Sequence, residues 1–241
     1  MLQPRGLGAI EPPVDTRDYS IGQLDAYVQA SSLVLPSVFS LAPMPPLLDQ
    51  DGTPECEAYS GIGVKGYQEH LQLGRWMYDR RSAELLYAGA KSIDGLPAGT
   101  EGTYGRAILQ WLQTRGAVAV DGHRYLIGSY YSLLGEADRG RAIEQTLVAL
   151  RRPVMIAIPF YQSYYDAIDS EGFGGTLPLP KPGEPSIGGH AIWVWRYVTT
   201  PSGESAYCTR WAWGLVGING NIYLQPGHVA QAWELYVAVD R

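Results

Sequence analysis

The sequence predicts an α+β fold in which helices come first and β-strands follow. Stretches with helical periodicity or helix-capping signals lie between residues 56 and 152, whereas short runs rich in Val, Ile, Tyr and Trp follow residue 153. Separation of helices and strands along a chain is typical of α+β proteins, in which the two kinds of element form different parts of the molecule. At 241 residues the chain is long enough for two lobes with a cleft between them.

Residues 1–45 are predicted to form an extended N-terminal arm. The stretch LPSVFSLAPMPPLL is apolar but contains four prolines, which prevent it from continuing as a helix. Such a segment is expected to lie over the folded body, which we place at residues 46–241. Within this body we expect a helical lobe over about 46–122 and a β-rich lobe over about 123–241.

Four helices are predicted before residue 153. Ser82 is a candidate N-cap for the second helix, Thr103 and Gly116 bound the third, and Pro153 stops the fourth. The predicted helices cover residues 56–73, 82–91, 103–116 and 138–152.

Strands are predicted after Pro153, where the apolar pattern changes from helical spacing to short continuous runs. A glycine- and proline-rich loop over residues 170–189 separates the first strand from the second, and TPSGE is a hairpin turn. A short helix is expected near residues 161–168. The predicted strands cover residues 153–161, 190–198, 205–211, 221–224 and 234–239.

Charge and composition exclude several classes of protein. A net charge of −6 without a basic run argues against a nucleic acid or an anionic membrane as the partner. The longest uncharged stretch, residues 27–48, is interrupted by prolines and is not expected to span a membrane. The N-terminus lacks the apolar core of a secretory signal, and two cysteines allow at most one disulfide. We therefore expect a cytoplasmic protein, or one within a particle assembled in the cytoplasm.

The stretch DQDGTPECEAYS places Cys56 in the first turn of a predicted helix, six residues after Gln50. Backbone N–H dipoles at a helix N-terminus lower the pKa of a thiol and favour the nucleophilic thiolate. The Gln50 amide is suited to donate a hydrogen bond to an oxyanion, alongside the Cys56 backbone N–H. A small buried cysteine at the start of a helix fits the local sequence equally well.

His190 opens a predicted strand directly after Gly188 and Gly189. The two glycines leave space for the close approach of another group. Histidine is the usual partner of a cysteine nucleophile, first as base and then as acid. A capping or surface histidine is the alternative, and it is favoured for the other three histidines because they lie in polar or loop settings: His70, His123 and His228.

Taken together, these segments resemble papain-like cysteine peptidases, in particular compact bacterial and viral members that lack disulfides. The segment from Gln50 to Ser60 matches the family's glutamine, catalytic cysteine and following small-aromatic-serine run. GGHAIWVWRY places His190 at the family's catalytic-histidine position, and WAWGLVGINGNIYL resembles its Asn-Ser-Trp-Gly segment. The order of these motifs carries the resemblance, which extends over most of the chain.

The resemblance implies a two-lobed fold with an antiparallel sheet or barrel in the second lobe and an active-site cleft between the lobes. It also implies a peptide or protein substrate, with no cofactor and no metal. Cys56 would be the nucleophile, His190 the base and acid, and Gln50 an oxyanion donor. The implied substrate-binding residues are Gly102, Gly189 and Trp213.

Four residues depart from the family's pattern, and Trp211 and Glu57 are the two nearest the candidate catalytic groups, whereas Thr53 replaces a disulfide cysteine and Glu101 replaces one glycine of a pair. Trp211 falls where the family has the asparagine that orients the catalytic imidazole, and an indole has a donor but no acceptor. Losing an orienting group lowers a rate without removing the nucleophile, the base or the oxyanion donors. Glu57 stands where many relatives have tryptophan, and we expect it to face solvent or to be paired.

Three functions fit these observations. The first is hydrolysis of peptide bonds through an acyl-enzyme on Cys56, attenuated by Trp211. The second is acyl transfer to an amine, which uses the same residues. The third is a non-catalytic or weakly catalytic structural or binding component of a larger assembly such as a viral particle, in which the arm would dock on neighbouring subunits.

Overall fold

The computed structural model describes residues 6–13, 15, 18–29 and 32–240. Helices and an antiparallel sheet are both present, so the predicted α+β class is confirmed. The predicted arm, residues 1–45, lies partly outside the described residues. The longer helices of the first half are α2 (Cys56–Leu73), α3 (Arg80–Lys91) and α4 (Gly105–Thr114), and α1 (Asp25–Gln29) precedes them.

Helix α2 is the central element that joins the two halves of the molecule. It packs against α3 and α4 on one side and against the sheet on the other, so its residues from Cys56 to Glu69 are buried. Gly63 permits the close contact with the sheet, because a Cβ at this position would collide with the indole of Trp193. This packing fixes the first turn of α2, and therefore Cys56, against the sheet.

The main sheet has seven antiparallel strands in the order β4-β9-β5-β6-β7-β8, with β1 paired to β6. One apolar core lies within this β-rich half, and a second lies between the sheet and helices α2 to α4. The strands are β1 (Val38–Ser40), β4 (Ser129–Ser132), β5 (Val154–Tyr161), β6 (Ser186–Thr199), β7 (Ser205–Arg210), β8 (Asn221–Leu224) and β9 (Glu234–Val239), and a separate hairpin comprises β2 (Ala117–Val118) and β3 (Arg124–Tyr125).

The shorter helices show where local capping differs from the prediction. Asp79, not Ser82, caps α3, and the two side chains form a reciprocal capping box. The fourth predicted helix is α-helical only over α5 (Arg139–Gln145) and continues as a π-helical turn, Thr146–Leu150. The remaining short helices are α6 (Gln162–Ile168), α7 (Val216–Asn219) and α8 (Pro226–Ala230).

The described part of the arm is not extended throughout, contrary to the prediction. A 3-10 turn, Ile21–Gln23, is capped by Ser20 and leads into α1, and β1 forms hydrogen bonds with β6 in the main sheet. Ile21 and Leu41 are fully buried in the core of the β-rich half. From about residue 19 onward the arm is therefore an integral part of the folded body.

Lys65 is a buried cation that ties α2 to the end of β9. Its Nζ lies 2.9 Å from Asp240 Oδ1, donates to the Leu126 carbonyl oxygen at 2.8 Å, and forms an ion pair with Glu69. Removing one member of a buried ionic group leaves the other members charged and unpaired, which is strongly destabilising. Lys65 is thus expected to contribute substantially to stability.

We expect Lys65→Met to lower the free energy of unfolding by about 3–5 kcal/mol, because Glu69 and Asp240 lose their counter-charge. Chemical denaturation measures this change directly. Lys181→Met, on an exposed loop, is the matched control and should change stability by less than about 0.5 kcal/mol. Equal effects of the two substitutions would show that the buried ion pairs do not stabilise the fold.

Candidate active site

Cys56 lies at the first turn of α2, against the face of the sheet formed by Ala157 and Ala191. These two alanines are directly opposite each other on β5 and β6, and their small side chains let the helix end approach the sheet. The Ala191 backbone N–H donates to Cys56 Sγ at 3.4 Å. The nucleophile candidate is therefore held against the residue that follows His190.

The Cys56 side chain is fully buried, and its protonation follows from that burial. Burial, with a smaller contribution from the carboxyl group of Glu57, raises the pKa of the thiol to about 12. Backbone N–H groups of Ala191, Gly8 and Glu57 donate to the sulfur and oppose this rise. In this structure Cys56 is thus a neutral thiol at neutral pH, despite its position at a helix N-terminus.

His190 directly precedes Ala191 on β6, and aromatic rings surround its imidazole. Its ring centroid is 4.1 Å from that of Trp213, 4.7 Å from Trp211 and 6.0 Å from Phe160. Neither ring nitrogen has a hydrogen-bond partner among the described residues, and burial lowers the imidazole pKa to about 3. The imidazole is therefore neutral here, and no hydrogen bond joins it to Cys56.

Trp211 packs against His190 without offering it an acceptor. Its side chain is 1% exposed, and its indole N–H donates to Thr209 Oγ1 at 2.7 Å, away from the imidazole. Trp213, the other tryptophan of this segment, stacks on Tyr165 with centroids 5.9 Å apart. The two indoles restrict the imidazole by contact, which differs from orientation by a hydrogen bond.

Gln50 is fully buried, and the N-terminal arm occupies its amide. Nε2 donates to the carbonyl oxygen of Gly6 at 3.0 Å and also to that of Thr53. The donor predicted to hold an oxyanion therefore holds a backbone carbonyl of the arm.

Residues 6–10 of the arm, hereafter the cleft segment, run directly over Cys56. The carbonyl oxygen of Gly8 accepts from Thr103 N–H at 2.9 Å, and Ala9 N–H donates to the Gly189 carbonyl oxygen at 3.2 Å. Ala9 also packs on Cys56. Gly102 makes room for this path, because a Cβ at this position would collide with the Gly8 carbonyl oxygen. Four residues predicted to bind substrate or react with it thus contact the cleft segment: Gln50, Cys56, Gly102 and Gly189.

An ionic cluster fixes the arm just after it leaves the cleft. Arg106, in the first turn of α4, forms two hydrogen bonds from Nε to the Asp18 carboxylate, at 2.9 and 3.1 Å, and pairs with Asp15 at 3.4 Å. The Tyr236 hydroxyl donates to the same Asp18 carboxylate at 2.8 Å. The arm is therefore attached at both ends of the segment between residues 6 and 18.

Glu57 was expected either to face solvent or to be paired, and it does not face solvent. It is fully buried beside the carboxyl group of Glu234, the first residue of β9, which is 1% exposed. The residues around Glu57 indicate an exposed helix position and do not predict this contact. The only available signal was a carboxylate at the start of an otherwise apolar strand, ELYVAV.

The described residues show no metal-binding cluster and no membrane-spanning helix. No group of three or more His, Cys, Asp or Glu side chains is arranged to hold a metal ion within them. None of their helices is both long and apolar enough to cross a membrane. Cys56 and Cys208 are both free thiols, so no disulfide occupies the nucleophile candidate.

Comparisons with known proteins rest on structure. No family model and no curated protein matches the sequence. Xylellain, a cysteine protease from Xylella fastidiosa, superposes with a TM-score of 0.79 at 18% identity over 98% of this chain and 97% of its own. Procathepsin B S9 from Trypanosoma congolense gives 0.74 at 14% identity, covering 98% and 86% of the two chains.

A third solved structure, the digestive procathepsin L 3 of Tenebrio molitor larval midgut, gives a TM-score of 0.68 at 16% identity, over 92% of this chain and 76% of its own. Because the similarity covers nearly the whole chain, it applies to both halves together. This protein has the fold of the papain-like cysteine proteases.

Proposed function

We propose that this protein is a cysteine-type peptidase with Cys56 as nucleophile, and that the structure represents its self-blocked form. One observation carries the proposal: the backbone of the cleft segment forms hydrogen bonds with Gly189 and with Thr103, the residue after Gly102, and its Gly6 carbonyl oxygen accepts from the Gln50 amide. A groove that pairs with the main chain of one peptide is suited to pair with others, since main-chain pairing does not depend on sequence.

In the proposed reaction the Cys56 sulfur attacks a peptide carbonyl carbon after transferring its proton to His190. Gln50 Nε2 and the Cys56 backbone N–H donate to the oxyanion that forms. The His190 imidazolium then gives its proton to the leaving amine, and an acyl-enzyme remains on the sulfur. His190 next removes a proton from water, which attacks the acyl carbon; the C–S bond then breaks, the proton passes from His190 to the sulfur, and the carboxylic acid product leaves.

The cleft segment blocks this reaction in three ways. It buries the sulfur, which disfavours the thiolate, and it holds the Gln50 amide through the Gly6 carbonyl oxygen. At the sulfur it presents the Gly8 backbone N–H, a hydrogen-bond donor, instead of an electrophilic carbonyl carbon. Two of the similar structures are described as procathepsins, which supports the interpretation of this arm as an inhibitory segment.

A non-catalytic or weakly catalytic role is the second candidate, and a separate observation favours it. Trp211 turns its N–H toward Thr209, and both ring nitrogens of His190 lack hydrogen-bond partners among the described residues. An imidazole without an acceptor for its N–H has no fixed tautomer, which lowers the efficiency of proton transfer. We therefore propose that any peptidase activity is attenuated relative to an enzyme with an orienting asparagine.

Covalent labelling with a peptidyl epoxide, followed by mass-spectrometric mapping, tests the proposed function. We expect modification of Cys56 and not of Cys208, and loss of both labelling and peptide hydrolysis in Cys56→Ser. His190→Ala should reduce the labelling rate at neutral pH, because the base is removed. Labelling at Cys56 that is unaffected by His190→Ala, without peptide hydrolysis, would instead support the non-catalytic role.

A further inference from the structure

The buried carboxyl pair beneath the nucleophile has no place in the reaction described above. Glu57 follows Cys56 in the first turn of α2, and Glu234 opens β9. In the sheet register Glu234 lies opposite Ala157, and Ala157 lies opposite Ala191. Residues directly opposite each other in an antiparallel sheet point to the same face, so Glu234 shares the face that holds Cys56.

The oxygens of the two carboxyl groups converge on one point above Gly105, the first residue of α4. A Cβ built at Gly105 would lie 2.9 Å from Glu234 Oε2 and 3.0 Å from Glu57 Oε2. The absence of a side chain at this position is therefore what admits both carboxyl groups. Two adjacent carboxyl groups inside a protein are not both ionised at low cost, and the side chains of Glu57 and Glu234 are close enough to share a hydrogen bond.

The surroundings assign different roles to the two acids. Glu234 accepts from the Gly105 and Arg106 backbone N–H groups, at 2.8 and 3.2 Å, and the Arg106 charge lies nearby. Neither oxygen of Glu57 has a hydrogen-bond partner among the described residues unless one of the two acids is protonated. A proton on Glu57, donated to the Glu234 carboxylate, supplies a hydrogen bond between the two groups and leaves a single negative charge, which the Gly105 and Arg106 N–H groups face.

The other charged groups around the pair do not remove the need for this proton. Arg106 is shared with the arm, since its guanidinium also binds Asp18 and Asp15. Tyr236, two residues along β9, donates to Asp18 and remains neutral, because burial raises its pKa. On α2 the nearest titratable group is the thiol of Cys56, which is neutral in this structure.

We propose that Glu57 and Glu234 share one proton in the folded chain, and that this proton keeps negative charge away from the Cys56 sulfur. Glu57 is then a positioning residue: as a neutral acid it joins α2 to α4 and β9, whereas as an anion it would oppose thiolate formation. The shared proton is argued from the structure alone, whereas the effect of that proton on catalysis rests on the proposed function.

The sign of the pH effect follows from the two carboxyl pKa values. Burial raises the pKa of both acids above the ordinary value of 4.5, and the neighbouring Glu234 charge raises that of Glu57 further. The folded chain therefore binds more protons than the unfolded chain from about pH 4.5 upward. The stability that the pair contributes must fall as the pH rises through this range, and it levels off once the folded pair is fully ionised.

Thermal unfolding of the full chain from pH 5 to pH 9 tests the shared proton. In Glu57→Gln the amide donates to Glu234 without a titrating proton, so the melting temperature of this variant should lack the pH effect of the pair. The difference between the wild-type and Glu57→Gln melting temperatures should therefore fall by about 3 °C per pH unit between pH 5 and 7. Glu171→Gln, at an exposed position, should run parallel to the wild type. A Glu57→Gln curve parallel to the wild type would overturn the proposal.

A measurement without any variant keeps the test independent of folding defects. The infrared spectrum of the wild-type chain at pH 7 should contain the C=O band of a protonated carboxylic acid, and its absence would overturn the shared proton.

Iodoacetamide alkylation of Cys56 in the full chain tests whether the shared proton keeps negative charge away from the Cys56 sulfur. Above the pH at which the melting-temperature difference levels off, Glu57→Gln should react about tenfold faster than the wild type, since the charge beside the sulfur is gone. Equal rates would overturn the link to the thiol. All three measurements are independent of peptide hydrolysis, so they distinguish this proposal from failure of the proposed function.

Discussion

Replacing Gly8 with alanine should open the cleft and increase the rate of Cys56 alkylation by iodoacetamide at least about tenfold at pH 7.5. Gly8 is the residue of the cleft segment whose N–H reaches the sulfur and whose carbonyl oxygen pairs with Thr103. A Cβ at this position would collide with the Pro54 carbonyl oxygen and lie 2.9 Å from Pro54 Cα. These obstacles are backbone atoms, which cannot move aside as a flexible side chain would.

The size of the effect follows from the cost of this collision. Forcing an extra methyl group into a closely packed site typically costs about 1–3 kcal/mol, which corresponds to a shift of about five- to 150-fold in the equilibrium between the closed and open states. Opening also removes the burial that raises the thiol pKa, so the exposed sulfur reacts faster. Peptide hydrolysis should rise in parallel if the proposed function holds.

Gly174→Ala is the matched control, because no atom lies within 4 Å of a Cβ added at Gly174. It should leave the alkylation rate of Cys56 unchanged. An alkylation rate for Gly8→Ala equal to that of the control would mean that the cleft segment does not limit access to the sulfur.

The main elements of the fold were predictable because their signals are local. The helix at Cys56–Leu73 was predicted at its observed bounds, since a turn with Gly52 and Pro54 precedes it and Gly74 ends it in the left-handed conformation. The predicted strands after residue 153 were located to within a few residues, because apolar, β-branched and aromatic runs there are separated by glycine and proline.

The features that were missed depend on contacts between distant parts of the chain. Strand β1 was predicted as arm because its sequence, VFS, gains strand geometry only by pairing with β6. The burial of Glu57 likewise depends on Glu234, far along the chain, and on the missing side chain of Gly105. Local sequence at Glu57 is that of an ordinary exposed helix residue, so no pattern within the helix could reveal the pair.

The cleft segment was predictable only in part. GLGAI contains two glycines that permit a close path over other backbone atoms, yet small residues are also common in loops and specify no partner. The sequence therefore predicted the binding groove from the motifs around Gln50, Gly102 and Gly189 but not its occupant. The occupant became evident only from the hydrogen bonds that the groove makes.

Deleting residues 1–12 should leave a folded protein with an accessible Cys56, whereas deleting residues 1–45 should abolish cooperative unfolding. The first deletion removes the cleft segment and keeps the cluster of Arg106, Asp15 and Asp18. Of the described apolar side chains that it removes, Leu7 and Ile10 are half-buried and only the small Ala9 is buried, so the body loses little apolar packing.

The second deletion removes parts of the core. Ile21 and Leu41 are 0% and 1% exposed, and burying such a side chain contributes about 1.5–3 kcal/mol. The deletion also removes the pairing of β1 with β6 and the hydrogen bond from Tyr197 to the Pro36 carbonyl oxygen, at 2.7 Å. Together these losses approach the total stability of about 5–15 kcal/mol that is usual for a folded domain.

Circular dichroism melts and Cys56 alkylation of the two truncated proteins measure both parts of this expectation. The shorter deletion should melt cooperatively within about 4 °C of the full chain and alkylate at least about tenfold faster. A cooperative melt of the longer deletion would show that residues 19–45 are an appendage of the body. Failure of the shorter deletion to fold would show that the cleft segment is part of the structure and not a removable inhibitor, because the arm would then be indivisible from the site that it covers.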